Sequence, residues 1–192
     1  RLFDKVDAQP EPTGIEPTKK NLVIGVEERG TGRIGFGAGF STVDSILGFV
    51  EFAEENFDIA NPPYFRGGGQ KLRLRLQYGS VRQDYVLTFV EPWFFGRKLQ
   101  FSTDLYYRRL DNQSLNDLYE EQLYGARFGF TKALGSDYLR GSLAYTIENV
   151  GIINVSSNAS PAIRDEEGYR WVSKITPGLA YDTRRTSFNP FL

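Results

Sequence analysis

The stretch Lys71-Leu72-Arg73-Leu74-Arg75-Leu76-Gln77-Tyr78 decides the fold. Leu72, Leu74, Leu76 and Tyr78 alternate without a break with Lys71, Arg73, Arg75 and Gln77. Successive side chains of a β-strand point to opposite faces, so a strand here has one apolar and one charged face. A helix would scatter the same leucines around its circumference.

The period of two extends in both directions. Upstream, Ile34, Phe36, Ala38 and Phe40 alternate with Gly35, Gly37 and Gly39. Leu47, Phe49 and Glu51 continue a second strand, with Phe52 and Phe57 near its end. Downstream, Tyr85, Leu87 and Phe89 make a fourth, ending at Glu91-Pro92-Trp93-Phe94-Phe95-Gly96. Leu99 to Tyr107, Tyr124 to Phe130, Leu139 to Ile147 and Ile175 to Tyr181 repeat the pattern. That makes about eight strands, most near the roughly 9–11 residues that a tilted strand needs to cross a bilayer. No segment of comparable length has a helical period.

A sheet with one apolar face must hide it, against a second sheet in a soluble sandwich or against lipid in a membrane barrel. Three features favour lipid. The strands are long for a sandwich. Full charges stand in mid-strand on the polar face, at Arg73, Arg75, Asp104, Arg127 and Arg140. Aromatic residues gather where an interfacial girdle belongs: Trp93, Phe94 and Phe95, Tyr106 and Tyr107, Tyr169 and Trp171. The connections also alternate. Those at Ser80-Val81-Arg82-Gln83, around Gly96 and at Gly135-Ser136-Asp137 read as short, and those from Asp111 to Leu118 and from Asn149 to Arg170 as long. Asp58 to Gly69, with Pro62-Pro63 and Gly67-Gly68-Gly69, is a long exception on the short side.

Residues 1–29 differ in character. Pro10, Pro12 and Pro17 exclude a helix, and Asn21-Leu22-Val23-Ile24-Gly25-Val26-Glu27 reads as a strand. They read as the end of a small domain, with a boundary at Glu28-Arg29-Gly30-Thr31-Gly32 and a barrel portion over 30–192.

Composition narrows the chemistry. Among 192 residues there is no His and no Cys, which removes the commonest general base, zinc ligand and thiol nucleophile. Lys+Arg 23 against Asp+Glu 24 gives a net charge of −1, unlike a nucleic-acid binder. Gly30-Thr31-Gly32-Arg33-Ile34-Gly35 matches G-x-G-x-x-G, but a dinucleotide site needs a helix to open there, and a strand follows. Gly67-Gly68-Gly69 lacks a following Gly-Lys-Ser/Thr and reads as a turn. Adjacent acids such as Glu54-Glu55 and Glu120-Glu121 point to opposite faces of a strand and cannot easily converge on a substrate or metal. The chain is expected to be no enzyme and to need no cofactor or metal.

The glycines from Gly30 to Gly39 admit two readings. Glycine weakens strand packing, so a first barrel strand built this way gives a seam that opens and offers a free edge to an incoming strand. Equally, glycines make room for bulky neighbours.

The order of these features resembles the BamA-type outer-membrane assembly factors, in which periplasmic POTRA domains precede a C-terminal β-barrel. The resemblance rests on Glu28-Arg29-Gly30-Thr31-Gly32 running into Ile34-Gly35-Phe36-Gly37-Ala38-Gly39-Phe40, then Asn56-Phe57, Gly68-Gly69-Gln70 and Glu91-Pro92-Trp93-Phe94. It implies an all-β membrane protein, an antiparallel transmembrane β-barrel preceded by the C-terminal part of an α+β POTRA domain. It also implies a larger barrel of about sixteen strands, of which about eight lie here. Arg184 to Leu192 then reads as the turn before a further strand.

The implied location is the bacterial outer membrane, with the N-terminal segment in the periplasm. The implied activity is folding and insertion of β-barrel clients, with periplasmic lipoproteins as accessory partners. The edge that would template a client strand is Gly32 to Val43, with Gly32, Ile34, Gly35, Phe36, Gly37, Ala38, Gly39 and Phe40 as its binding residues. Ile34, Phe36, Ala38 and Phe40 would face lipid, and Trp93, Phe94, Phe95, Tyr107 and Trp171 would sit at the membrane interface. The alternatives are a polypeptide-translocating pore of the same superfamily, a passive porin-like barrel, and a soluble β-sandwich binding module.

Overall fold

A computed structural model describes residues 3–12, 20–28, 30–41, 45–113, 118–136 and 138–182. Arg29, Thr42, Val43, Ser114, Asp137 and the closing Arg184–Leu192 stretch lie outside the described residues. The chain divides into two compact units, Arg1–Gly32 and Arg33–Leu192.

In the first unit, β1 (Phe3–Pro12) and β2 (Lys20–Glu28) pair antiparallel, with Ala8 opposite Ile24 and Pro10 opposite Leu22. Proline has no N–H to give a ladder, so it is confined to strand edges. A two-stranded ribbon supplies them.

The second unit is one sheet. Its strands are β3 (Gly32–Ser41), β4 (Ser45–Phe57), β5 (Gln70–Gly79), β6 (Arg82–Glu91), β7 (Gln100–Gln113), β8 (Leu118–Ala133), β9 (Leu139–Ile153) and β10 (Gly168–Tyr181). They lie side by side in chain order from β3 to β10, and β4 to β10 pair antiparallel with their sequence neighbours. We call the end carrying the turns after β4, β6 and β8 the proximal rim, and the opposite end the distal rim.

Register fixes the faces, because directly opposed residues share one. Arg75, Val86, Tyr106, Gly125, Glu148 and Val172 form one row across the sheet. Leu76, Tyr85, Tyr107, Tyr124, Asn149 and Trp171 form the next row, on the other face. The first row belongs to the polar face and the second to the apolar one.

The apolar face has no partner within this unit. Among the described residues the buried apolar side chains are Ala53, Ala144 and Ala159, while Leu76, Leu143, Ile175 and Leu179 are exposed. A soluble sandwich of this size would bury a leucine and phenylalanine core between two sheets. A single layer with its large apolar side chains outward is the wall of a transmembrane barrel, lipid on one face and lumen on the other. The wall is open between β3 and β10.

The connections correct the expected alternation of short and long. β7 runs on to Gln113, β8 begins at Leu118, β9 continues to Ile153 and β10 begins at Gly168. Residues 111–113, 118, 149–153 and 168–170 are therefore paired strand, and residues 154–167 remain the long connection. Both faces of a strand that projects into water are polar, so the alternation disappears there while the backbone ladder continues. The turn around Gly96 spans residues 92–99 and contains a 3₁₀ turn, Phe94–Gly96. Residues 58–69 and 92–99 on the proximal rim thus stand against Ser80-Val81 and residues 154–167 on the distal rim. The last of these includes the short helix α1 (Pro161–Asp165), where Glu166 pairs with Arg170.

Candidate functional site

β3 is the terminal strand and is bonded to β4 alone among the described strands. Ile34, Phe36 and Phe40 are 74%, 83% and 89% exposed, and Ala38 is exposed beside them. Each unpaired backbone group at such an edge costs several kcal/mol in hydrocarbon, about as much as an unmade hydrogen bond in an apolar medium. The edge must therefore be covered in a membrane.

The glycines separate into two kinds by position. A Cβ at Gly37 would lie 2.6 Å from Cε1 and 2.9 Å from Cζ of Phe49, so this glycine makes room for a ring. The Arg75 guanidinium lies over the same ring, 5.4 Å from its centroid. Phe49 is opposite Gln77 and so belongs to the polar face, not to an apolar one as its place after Leu47 suggested. A Cβ at Gly35 or Gly39 would meet nothing within 4 Å, so these two add no contact that holds β3 to the sheet. Gly32 opens the strand. At the proximal end, Arg33 Nη2 reaches Glu55 Oε1 at 2.8 Å, and Lys71 Nζ reaches Glu55 Oε2 at 3.2 Å.

Aromatic residues mark both borders of the apolar band. On the distal side, the Tyr85 and Tyr107 rings stack at 5.9 Å, and the Tyr124 and Trp171 rings meet edge to face at 6.0 Å. Tyr107 and Trp171 are not at strand ends. They stand where the outward residues turn polar, since Arg109, Gln122 and Tyr169 come next on that face. Between Tyr124 and Trp171 lies Asn149, buried, its Oδ1 without a hydrogen-bond partner among the described residues.

On the proximal side, Phe94 packs on Phe95 at 4.3 Å, Phe101 at 4.9 Å and Phe130 at 5.7 Å. Phe57 stacks on Phe65 at 5.8 Å and meets Phe89 edge to face at 6.4 Å. Trp93 is turned differently. It lines a pocket with Lys98, Gln100, Thr131, Lys132, Ala133 and Arg140, and Lys98 Nζ lies 6.0 Å from its ring centroid. Phe57, Phe65, Tyr85, Phe89 and Tyr124 were not assigned to the membrane interface from sequence. Their signal is register, which joins residues far apart in the chain.

The polar face is a network of paired charges. Tyr106 Oη donates to Glu148 Oε2 at 2.5 Å, and Lys174 Nζ lies 2.7 Å from Glu148 Oε1. Arg108 Nε lies 3.2 Å from Asp84 Oδ1, Arg73 Nη2 lies 2.7 Å from Glu51 Oε2, and Thr88 Oγ1 donates to Asp104 Oδ1 at 2.8 Å. Salt links across neighbouring strands suit a hydrated lumen wall. They tie neighbouring strands together across the sheet.

Comparison with known proteins agrees with this geometry. The BamA from Haemophilus ducreyi, in a crystal structure lacking POTRA domains 1–3, superposes with a TM-score of 0.66 at 16% identity, over 97% of this chain and 37% of that one. The outer membrane protein assembly factor BamA of Neorickettsia risticii (strain Illinois) is 23% identical over 169 residues. That match covers 88% of this chain, and the chain spans 22% of the length of that relative. The wall thus lies in a bacterial outer membrane. A family model described as the Omp85 superfamily domain matches residues 65–191. The chain belongs to the Omp85 superfamily.

Proposed function

We propose that this chain supplies the first barrel strands of an outer-membrane protein assembly factor, and that the free edge of β3 pairs with the strands of client barrels. The observation that carries the reading is β3 itself: a terminal strand, bonded on one side, with Ile34, Phe36 and Phe40 exposed. An incoming strand would satisfy its backbone groups by β-augmentation. Gly35 and Gly39 add no side-chain contact to resist peeling.

A second property of the wall favours insertion. Near β3, outward apolar residues run from Ile34 to Phe40 and from Leu72 to Tyr78. At about 3.3 Å per residue and a tilt of about 40°, each of these runs covers roughly 15 Å of membrane, against about 25 Å for an ordinary barrel and for the outward span from Trp171 to Tyr181 on β10. A belt this short thins the bilayer beside it and lowers the barrier to a client. The unit Arg1–Gly32 would then lead to periplasmic domains and accessory lipoproteins.

The test is site-specific photo-crosslinking in the full-length parent, in cells, with the probe at Ile34, Phe36 and Ala38 in turn. Adducts with the terminal strands of newly made outer-membrane proteins are expected. Adducts confined to the parent's own last strand during active client synthesis would overturn the reading in favour of a closed pore.

A further inference from the structure

The turn over residues 58–69 has a use that neither the edge nor the lumen requires. It folds back on the lipid side of the wall: Phe65 stacks on Phe57, and Phe57 meets the outward-facing Phe89. Its tip carries Ile59 and Tyr64, which are 60% and 78% exposed, with Pro62 and Pro63 between them.

Its backbone is largely closed on itself. The amides of Asp58 and Phe65 donate to the carbonyls of Phe65 and Asn61 at 3.0 and 2.7 Å. Those of Asn61 and Gly67 donate to the carbonyls of Asp58 and Asn56 at 3.3 and 2.9 Å. Ile59, Ala60 and Gly69 donate to the side chains of Gln70, Asp58 and Asn56 at 2.9, 2.9 and 3.0 Å, and the two prolines have no N–H to satisfy. Asn61 Nδ2 returns to the carbonyl of Arg66 at 3.1 Å.

A water-facing loop has no need to satisfy its amides internally. A loop that dips into the acyl region does, because each free amide in hydrocarbon is costly. Phe65 is held at φ 50°, a left-handed conformation that a bulky residue keeps only when its surroundings enforce it. The cost is borne by a side chain that completes the aromatic border.

We propose that the turn over residues 58–69 is a membrane anchor, seated in the leaflet at the proximal rim with Ile59 and Tyr64 as its inserted side chains. The occupant of its apolar surface is the bilayer. The turn continues the lipid-facing border formed by Phe57, Phe89, Phe94 and Phe101, and at its base the exposed Arg66 places Nε 3.9 Å from Oε2 of the buried Glu54. The anchor does not depend on what β3 binds.

The chain has no cysteine, so single labels are placed unambiguously within it. Tyr64→Cys and Ile59→Cys would each be made in the full-length parent, labelled with an environment-sensitive fluorophore and folded into phosphatidylethanolamine–phosphatidylglycerol vesicles. Ala162→Cys, exposed on α1, is the reference for water. Folding of each variant is checked first by the heat-dependent shift in gel mobility. The expected result is blue-shifted emission at positions 59 and 64, quenched several-fold more by doxyl-labelled lipid than by iodide, with the reverse at 162. Iodide quenching at 59 and 64 equal to that at 162 would overturn the anchor. Protection from both quenchers would also overturn it, by placing the turn against protein.

Discussion

Tyr106 on β7 donates its hydroxyl to Glu148 on β9 at 2.5 Å, across the intervening strand where Gly125 has no side chain. A Cβ at Gly125 would lie 2.5 Å from the carbonyl oxygen of Ile147 and 2.8 Å from the Cα of Glu148. Backbone cannot move aside as a flexible side chain can. Gly125→Ala should therefore cost more than Tyr106→Phe. The second removes one hydrogen bond to a carboxylate, worth about 1.5–3 kcal/mol, and the first forces backbone apart, at or above the top of the about 1–3 kcal/mol usual for overpacking. Urea midpoints of the full-length protein in vesicles would rank the two variants, and a smaller loss for Gly125→Ala would contradict the packing described.

The Gly37–Phe49 contact predicts a rescue. Gly37→Ala places a methyl group against the Phe49 ring and should destabilise the protein by about 1–3 kcal/mol. Phe49→Leu in the same chain should recover most of that loss, whereas Gly39→Ala, which meets open space, should be near neutral. The unfolding temperature read by gel mobility checks all three.

Glu120 is buried at the distal end of β8 and accepts from Arg109 at 2.7 Å, Gln122 at 2.6 Å and Asn154 at 3.0 Å. Glu120→Ala strands three donors at once and should cost about 2–4 kcal/mol, because bonds to a charged acceptor are each worth more than neutral ones. Asn154→Ala should cost about 1 kcal/mol. A double-mutant cycle between positions 120 and 109 should show coupling of at least about 0.5 kcal/mol, and additivity would refute the network.

Asn149 predicts a gain. Its Oδ1 is buried between the Tyr124 and Trp171 side chains with no partner among the described residues. Replacing it by Leu removes an unpaid desolvation of about 1–3 kcal/mol while keeping the volume. Asn149→Leu should raise the urea midpoint, and a lowered midpoint would mean that the amide is bonded in the membrane.

The strands were legible because a wall between lipid and water enforces a strict period of two, as in Leu72 to Tyr78. The legibility ended where that contrast ended. Beyond Tyr107 and Tyr124 polar residue types stand at successive positions, so Asp111 to Gln113 read as a loop although they are paired strand. Phe49 misled because an apolar side chain can fill the lumen face when a glycine lies beside it. The irregular register between Glu54 and Phe57 changes which residues of β4 face outward, and no alternation announces it. At the candidate site, the glycine content of β3 was plain, but only register separates Gly37, which fits a ring, from Gly35 and Gly39, which fit nothing.

A wall one layer thick, with Ala53 and Ala144 as the buried apolar residues of its described strands, inverts the usual map of mutational tolerance. In a soluble domain the surface drifts and the interior is held. Here the large outward side chains meet a fluid that repacks around any apolar shape, so Leu74, Leu143 and Ile175 can exchange freely with other hydrophobic residues. The constraint falls on the smallest residues, above all on Gly125, which sits against backbone that cannot retreat. Across an evolving lineage, this wall should keep its gaps longer than its bulk.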